Sequence, residues 1–171
     1  MSKHKIALLL HDIRSTHNVG SILRTAECLG VKDLYFSGYT PYPLLQNDIR
    51  LPHIASKLTK QIHKTALGAE AMINCYHFES LKNAVNQAKK DGYIFVVGLE
   101  QDKNSVKLND FRQNDNILLI LGNETEGIDD WTKNSADAII EIPQLGNKES
   151  LNVSNAAAIA IYHLTFINKN E

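Results

Sequence analysis

Five short runs dominated by apolar residues punctuate the chain, at 6–10 (IALLL), 33–36 (DLYF), 93–99 (YIFVVGL), 116–121 (NILLIL) and 138–142 (AIIEI). Runs without polar alternation predict strands buried on both faces of a sheet. Between them the period lengthens to that of a helix. Leu81, Ala84, Val85 and Ala88 share one helical face, with Ser80 placed as the N-cap. Strands alternating with helices imply crossover connections, so the expected class is α/β, a mostly parallel sheet flanked by helices. Segment 37–52 holds three of the four prolines and reads as a long loop, and 100–115 reads as a polar surface connection. The chain shows no internal repeat, and we expect one domain over 1–171. The first strand begins near residue 6, so no separate domain is expected before it.

The last helical stretch carries two apolar stripes. Val153, Ala157, Ala160 and Leu164 form one, and Ile159, Tyr162 and Phe166 form another on the opposite face. A helix apolar on opposite faces is sandwiched. One stripe covering the sheet and the other meeting a second subunit predicts a symmetric homodimer.

Composition narrows the class further. Of 171 residues 43% are hydrophobic and 22% charged, and 18 basic side chains face 19 acidic ones for a net charge of −1. That balance excludes a partner advertised by overall charge, so local placement matters instead. No run approaches the roughly 18 apolar residues of a membrane span, and the N-terminus lacks the pattern of a signal peptide. A cytoplasmic protein is expected. Cys28 and Cys75 form no CxxC pair, which excludes a disulfide scaffold, a zinc ribbon and a thioredoxin-type site, and both read as small buried residues. The seven histidines show no metal-ligand spacing, so no metal is expected.

Ligands of open parallel sheets sit outside the carboxyl ends of the strands, so the post-strand segments are the candidates for chemistry. In the first, a helix from about Asn18 to Leu29 buries Ile22, Ala26 and Leu29 and turns Arg24 outward, beside Gly20, whose missing side chain leaves room for another molecule. Arg24 pairing with Glu27 and Asn18 serving only as a cap are the structural alternatives. In the second, Gly122-Asn123-Glu124-Thr125-Glu126-Gly127 is not a phosphate loop, because Ile128 stands where a Walker loop needs Lys. Free backbone amides beside carboxylates suit a ligand with an adenine or ribose and a cationic centre. In the third, Pro143 stops the strand, Gly146 allows a bend, and Ser150 or Asn152 caps the last helix.

Together, N-V-G-S-I-L-R-T-A-E-C-L-G at 18–30, L-G-N-E-T-E-G at 121–127 and I-P-Q-L-G-N-K-E-S-L-N-V-S at 142–154 resemble the three signature motifs of the SpoU (TrmH) family of the SPOUT superfamily. The stretch K-T-A-L-G-A-E at 64–70 is also similar to a segment of many small members. The resemblance implies an S-adenosylmethionine-dependent RNA ribose 2′-O-methyltransferase that releases S-adenosylhomocysteine. It also implies a C-terminal trefoil knot and a dimer with the active site between protomers. Carried over position by position, Arg24, Asn18, Glu124 and Asn152 become the catalytic set. Leu99, Gly122, Ile142, Ser150 and Leu151 become the cofactor-binding set. Gln144 departs from the methionine common at its position. The substrate implied is tRNA or rRNA.

Arginine is a poor base, so the role expected of Arg24 is to stabilise the developing alkoxide and grip the adjacent phosphate, with Asn18, Glu124 and Asn152 holding it and the ribose. Between Asp48 and Glu70 no acidic residue occurs, whereas Arg50, Lys57, Lys60 and Lys64 do, with His53 and His63. These form a candidate RNA surface. Tyr39 and Tyr42 are candidate base-stacking residues. A noncatalytic RNA-binding or assembly factor and a flavodoxin-like domain are the rival readings.

Overall fold

Each of the five apolar runs forms a strand of one sheet in the computed structural model, which describes residues 5–167. The strands are β1 (Ile6–His11), β2 (Asp33–Ser37), β3 (Asn74–Phe78), β4 (Phe95–Leu99), β5 (Val106–Lys107), β6 (Ile117–Leu121) and β7 (Ala138–Glu141). They lie in the order β3-β2-β1-β6-β4-β7-β5, and every pairing is parallel. The helices are α1 (Thr16–Cys28), α2 (Pro52–Ala66), α3 (Leu81–Lys90), α4 (Asp130–Ser135) and α5 (Val153–Tyr162). A 3₁₀ turn (Ala69–Ala71) follows α2, and a π-helical turn (His163–Ile167) continues α5.

The period-2 alternation of the central strands feeds two cores. Leu8, Leu10, Leu119 and Leu121 pack with Ile22 and Leu23 of α1, Ile62 of α2 and Ile161 of α5. Ala7, Leu9, Leu118 and Ile120 face the other way, onto Ala84 and Val85 of α3 and Ile128 ahead of α4. Burying each of these leucines and isoleucines contributes about 1.5–3 kcal/mol, which explains why the fully buried stretches of the two central strands, 6–10 and 117–121, are apolar throughout. Ser80 is the N-cap of α3, accepting from the Asn83 amide, and Leu81, Ala84, Val85 and Ala88 are its buried face.

Two strands escape the apolar-run pattern because both lie toward the sheet's margins. In β3 only part of each side chain is covered, and Tyr76 reaches the core by stacking on Tyr35 at 5.2 Å. The surface connection expected at 100–115 contains β5, two exposed residues paired with β7. Helix α1 begins earlier than Asn18. Ser15 is its N-cap and accepts from the Asn18 amide. Gly20 also needs correction: it leaves no space for a ligand, because α2 fills that space. A Cβ on Gly20 would lie 2.3 Å from the Ile62 carbonyl oxygen and 2.2 Å from Thr65 Oγ1, so glycine is what lets α1 and α2 touch. Cys28, expected inside, is exposed at the end of α1, while Cys75 is largely enclosed and burial pushes its thiol up to about 12.

Strand β6 enters the sheet between β1 and β4, and β7 lies on the far side of β4, so the last third of the chain interleaves with the first two. The carboxyl ends of β1, β6, β4 and β7 consequently sit side by side. That crevice is where open parallel sheets bind ligands. Of the two apolar stripes on α5, Ala157, Ala160 and Leu164 are buried, whereas Ile159, Tyr162 and Phe166 are 43%, 52% and 43% exposed.

Candidate active site

The segment after β6 folds back on itself. Asn123 and Gly127 exchange backbone hydrogen bonds at 3.0 and 2.9 Å, and the buried Asn123 side chain accepts from the Thr125 and Glu126 amides at 2.8 and 2.9 Å. A Cβ on Gly122 would lie 2.3 Å from the Gly127 carbonyl oxygen, so the turn closes only over glycine. At the other end Glu100, the first residue beyond β4, accepts from the Ile128 amide at 3.0 Å. Gly127 has φ +73°, and a Cβ there would overlap the same Glu100 carboxylate. Backbone amides in the 122–127 loop were expected to be free for a ligand, but those of Asn123, Thr125, Glu126 and Gly127 are engaged within the turn, and that of Ile128 just beyond it is engaged by Glu100. What faces outward is its carboxylates and walls.

Glu124 projects from this turn onto the start of α1. Its carboxylate accepts from the Arg14 amide at 3.1 Å, the Ser15 amide at 3.3 Å and Asn18 Nδ2 at 2.9 Å. Burial alone would raise its pKa. The donors from Arg14, Asn18 and Ser15 outweigh that and hold it below the ordinary glutamate range, so Glu124 is an anion at neutral pH and not a proton donor. Asn18 Oδ1 in turn accepts from Asn152 Nδ2 at 3.2 Å, and Asn152, rather than Ser150, caps α5 by accepting from the Ser154 amide. Three of the four residues proposed as catalytic thus form one chain of hydrogen bonds joining the three post-strand segments.

Arg24 stands outside it. It is exposed on α1, about 9 Å along the helix from Asn18, and no hydrogen bond or ion pair joins it to Glu27 or to any other described residue. Asn18 therefore orients Glu124 and Asn152, and it does not hold Arg24 as expected.

The crevice beside the network is a cavity of about 350 Å³. All five residues expected to hold a cofactor line it: Leu99, Gly122, Ile142, Ser150 and Leu151. Glu100, Glu124, Glu126 and Glu149 line it too, with Lys133 the cation among the lining residues, and Lys133 leans toward Asp102 at 3.9 Å. Apolar walls of this kind suit a flat heterocycle, and the carboxylates suit a ligand bearing positive charge. Glu100 and Asn123 were not singled out from the sequence. Each is the polar residue at or near the end of an apolar strand, and Asn before a glycine-containing turn is the signal for the side-chain turn that Asn123 makes.

The basic stretch divides in two. Lys57, Lys60 and Lys64 are exposed on one face of α2, and among the described residues no carboxylate pairs with them. Arg50 does not belong with them. Its guanidinium donates to Asp48 through Nε at 2.8 Å and through Nη2, and to the Tyr42 and Pro43 carbonyls at 2.9 Å each, while lying 3.5 Å over the Tyr42 ring. Every edge of that group is occupied by its own loop. Tyr42 is likewise no stacking platform: it is buried between Arg50 and His77, whose ring lies 4.0 Å away. His63 is held by Glu70 at 2.5 Å.

The model of the SpoU rRNA Methylase family matches residues 5–162. The chain belongs to that family. A Borreliella burgdorferi protein described as an uncharacterized tRNA/rRNA methyltransferase is 32% identical over 92% of this chain and 62% of its own length. A tRNA (guanosine(18)-2′-O)-methyltransferase of the same organism is 27% identical over 93% of this chain and 65% of its own. This SpoU chain thus spans less than two thirds of these relatives. The crystal structure of the SpoU methyltransferase AviRb from Streptomyces viridochromogenes, in complex with AdoMet, superposes with a TM-score of 0.76 at 23% identity, covering 96% of this chain and 58% of that one. The likeness establishes the fold, a SpoU-type parallel sheet flanked by helices.

Proposed function

We propose that this chain is an S-adenosylmethionine-dependent methyltransferase acting on a ribose 2′-OH of tRNA or rRNA. The observation that carries the reading is that the hydrogen-bonded set Asn18, Glu124 and Asn152 reaches, through Glu124, the cavity that Leu99, Gly122, Ile142, Ser150 and Leu151 line. Family membership and the names of the relatives support it. The cavity fits the cofactor chemically: its walls suit an adenosine, and its excess of carboxylates suits a sulfonium and an ammonium. When bound there, S-adenosylmethionine supplies the methyl group.

The chain's own residues do the rest. Glu124 and Asn18 fix the turn at the head of α1, and Asn152 fixes the start of α5, so the walls that orient donor and acceptor are set before binding. Arg24, permanently charged, stabilises the oxyanion that develops at the 2′-oxygen and binds the adjacent phosphate. Its separation from the cavity of its own chain supports a homodimer in which Arg24 serves the partner's cavity. The exposed Ile159, Tyr162 and Phe166 stripe is the surface we assign to that contact. The interleaved order of β1, β6, β4 and β7 supports the trefoil knot that the family resemblance implies. Among the described residues no helix is long and apolar enough to cross a membrane, and substrates of this class support a cytoplasmic location.

Incubation with methyl-labelled S-adenosylmethionine and total RNA tests the reading. We expect label in 2′-O-methylated nucleotides resistant to alkaline cleavage, and Arg24→Ala should abolish transfer while leaving S-adenosylhomocysteine binding intact. Unlabelled RNA would favour the noncatalytic RNA-binding alternative.

A further inference from the structure

A second concavity, of about 540 Å³, adjoins the turn that Glu124 holds and lies outside the cofactor cavity; Arg14, Tyr39, Pro41, Leu58 and Gln61 are among its walls. Its volume falls within the range of about 300–1,000 Å³ typical of small-ligand sites. Tyr39 dominates it. The residue is 56% exposed, and no ring among the described residues covers it. Its position is nevertheless fixed at both ends. Its hydroxyl accepts from Asn123 Nδ2 at 2.7 Å, so the ring is tied to the buried centre of the Gly122–Gly127 turn. Its amide donates to Asp12 Oδ1 at 3.1 Å. The Arg14 guanidinium is exposed beside the same hydroxyl, while the Arg14 amide is bound to Glu124. On the opposite bank, Gln61 lies one turn from both Lys57 and Lys64, so the unpaired lysine ridge of α2 borders the groove.

An aromatic face held in place, open to solvent and flanked by cations on both banks is the arrangement that binds single-stranded nucleic acid. Bases stack on the ring, and phosphates follow the charges. We infer that this groove binds an unpaired nucleotide of the RNA substrate, its base stacked on Tyr39 and its phosphates reaching Arg14 and the Lys57–Lys64 ridge. The inference rests on the proposed RNA methyltransferase function and extends it from the reacting ribose to a neighbouring nucleotide.

Fluorescence anisotropy with a labelled, mixed-sequence single-stranded oligoribonucleotide tests it, with S-adenosylhomocysteine affinity measured on the same samples. Tyr39→Ala should weaken oligoribonucleotide binding about tenfold, the effect expected for one stacked base, and leave S-adenosylhomocysteine affinity unchanged. Tyr39→Phe keeps the ring and loses only the hydroxyl anchor, so it should stay within about threefold of wild type. Unchanged oligoribonucleotide binding in Tyr39→Ala would overturn the inference. So would equal losses in both variants, or a parallel loss of S-adenosylhomocysteine affinity, since either would make Tyr39 a support for the turn and not a stacking surface. Methyl transfer by the wild type alongside an unaffected Tyr39→Ala removes only the inference. A wild type that neither binds nor methylates RNA removes the functional reading beneath it.

Discussion

Asn18 Nδ2 donates to Glu124 Oε1 at 2.9 Å across 106 residues of sequence, tying the first turn of α1 to the loop that follows β6. Two backbone amides, those of Arg14 and Ser15, converge on the same carboxylate. In Glu124→Gln one oxygen becomes an NH₂ group, which meets an N–H head on and removes the charge that attracted all three donors. We expect a loss of about 1–3 kcal/mol in stability, measured by chemical denaturation. The pH dependence has a definite sign. A carboxyl held below its unfolded value stabilises the fold fully above the ordinary glutamate range and loses that contribution as pH falls through the depressed folded value. Wild type and variant should therefore differ most near neutrality and converge in acid.

Gly20→Ala tests the contact between α1 and α2. The added methyl would sit 2.3 Å from a backbone carbonyl and 3.0 Å from the Ala66 amide nitrogen, neither of which can swing aside as a side chain can. The helices must separate. We expect a loss of about 1–3 kcal/mol, the usual range for overpacking, although alanine has the higher helix propensity. A thermal melt equal to or above that of wild type would show that the helices part at no cost.

The sheet was legible where burial is two-sided, because residues 6–10 of β1 and all of β6 are buried on both faces and apolar throughout, with polar His11 falling only at the end of β1. The outer strand β3 and the two-residue β5 were not, since a strand with one partly wet face is free to carry Asn, His and Lys. Within the site, the cofactor walls and the Asn18–Glu124–Asn152 set followed from family motifs, and Glu124 belongs to both the cavity lining and the hydrogen-bonded set. Gly20 and Arg50 were misread for one reason. Sequence spacing shows which side of a helix or loop a residue occupies, but not that another segment of the same chain already fills that side. Glu100 accepts from the Ile128 amide, which becomes its neighbour only when β4 and β6 pair, so no local pattern announces it, whereas Asn123 binds amides of its own turn and is signalled locally by an Asn in a glycine-flanked segment.

Lys57, Lys60 and Lys64 should behave differently from Arg50 in RNA binding. The three lysines are exposed and unpaired among the described residues, so replacing all three by glutamine should weaken binding and flatten its salt dependence, by up to about one unit of slope for each phosphate left without its lysine. Arg50→Gln removes no free charge. Instead it strands the enclosed Asp48 carboxylate, which the Arg50 guanidinium holds well below the usual aspartate range, and it uncovers Tyr42. The expected result is a stability loss on the order of 3 kcal/mol with an unchanged salt slope in the folded protein. A steeply altered slope for Arg50→Gln would return that residue to the RNA surface.

The distance of Arg24 from its own cavity leads to a complementation test. Arg24→Ala lacks the group that meets the phosphate, while Glu124→Ala lacks the carboxylate that shapes the cavity, so each homodimer should be inactive. If the site is shared, a heterodimer of the two variants contains one position where an intact Arg24 meets an intact cavity. Equal co-expression should then restore about a quarter of wild-type activity, because half the dimers are mixed and each has one working site of two. A site built within one chain predicts no recovery at any ratio. The same geometry requires the two chains to associate, and the exposed stripe on α5 is where we place that contact. Tyr162→Lys, on a surface 52% exposed, should leave the fold intact, convert the protein to a monomer in sedimentation, and abolish methyl transfer. A Tyr162→Lys monomer that still methylates RNA would place Arg24 in its own chain's site after all.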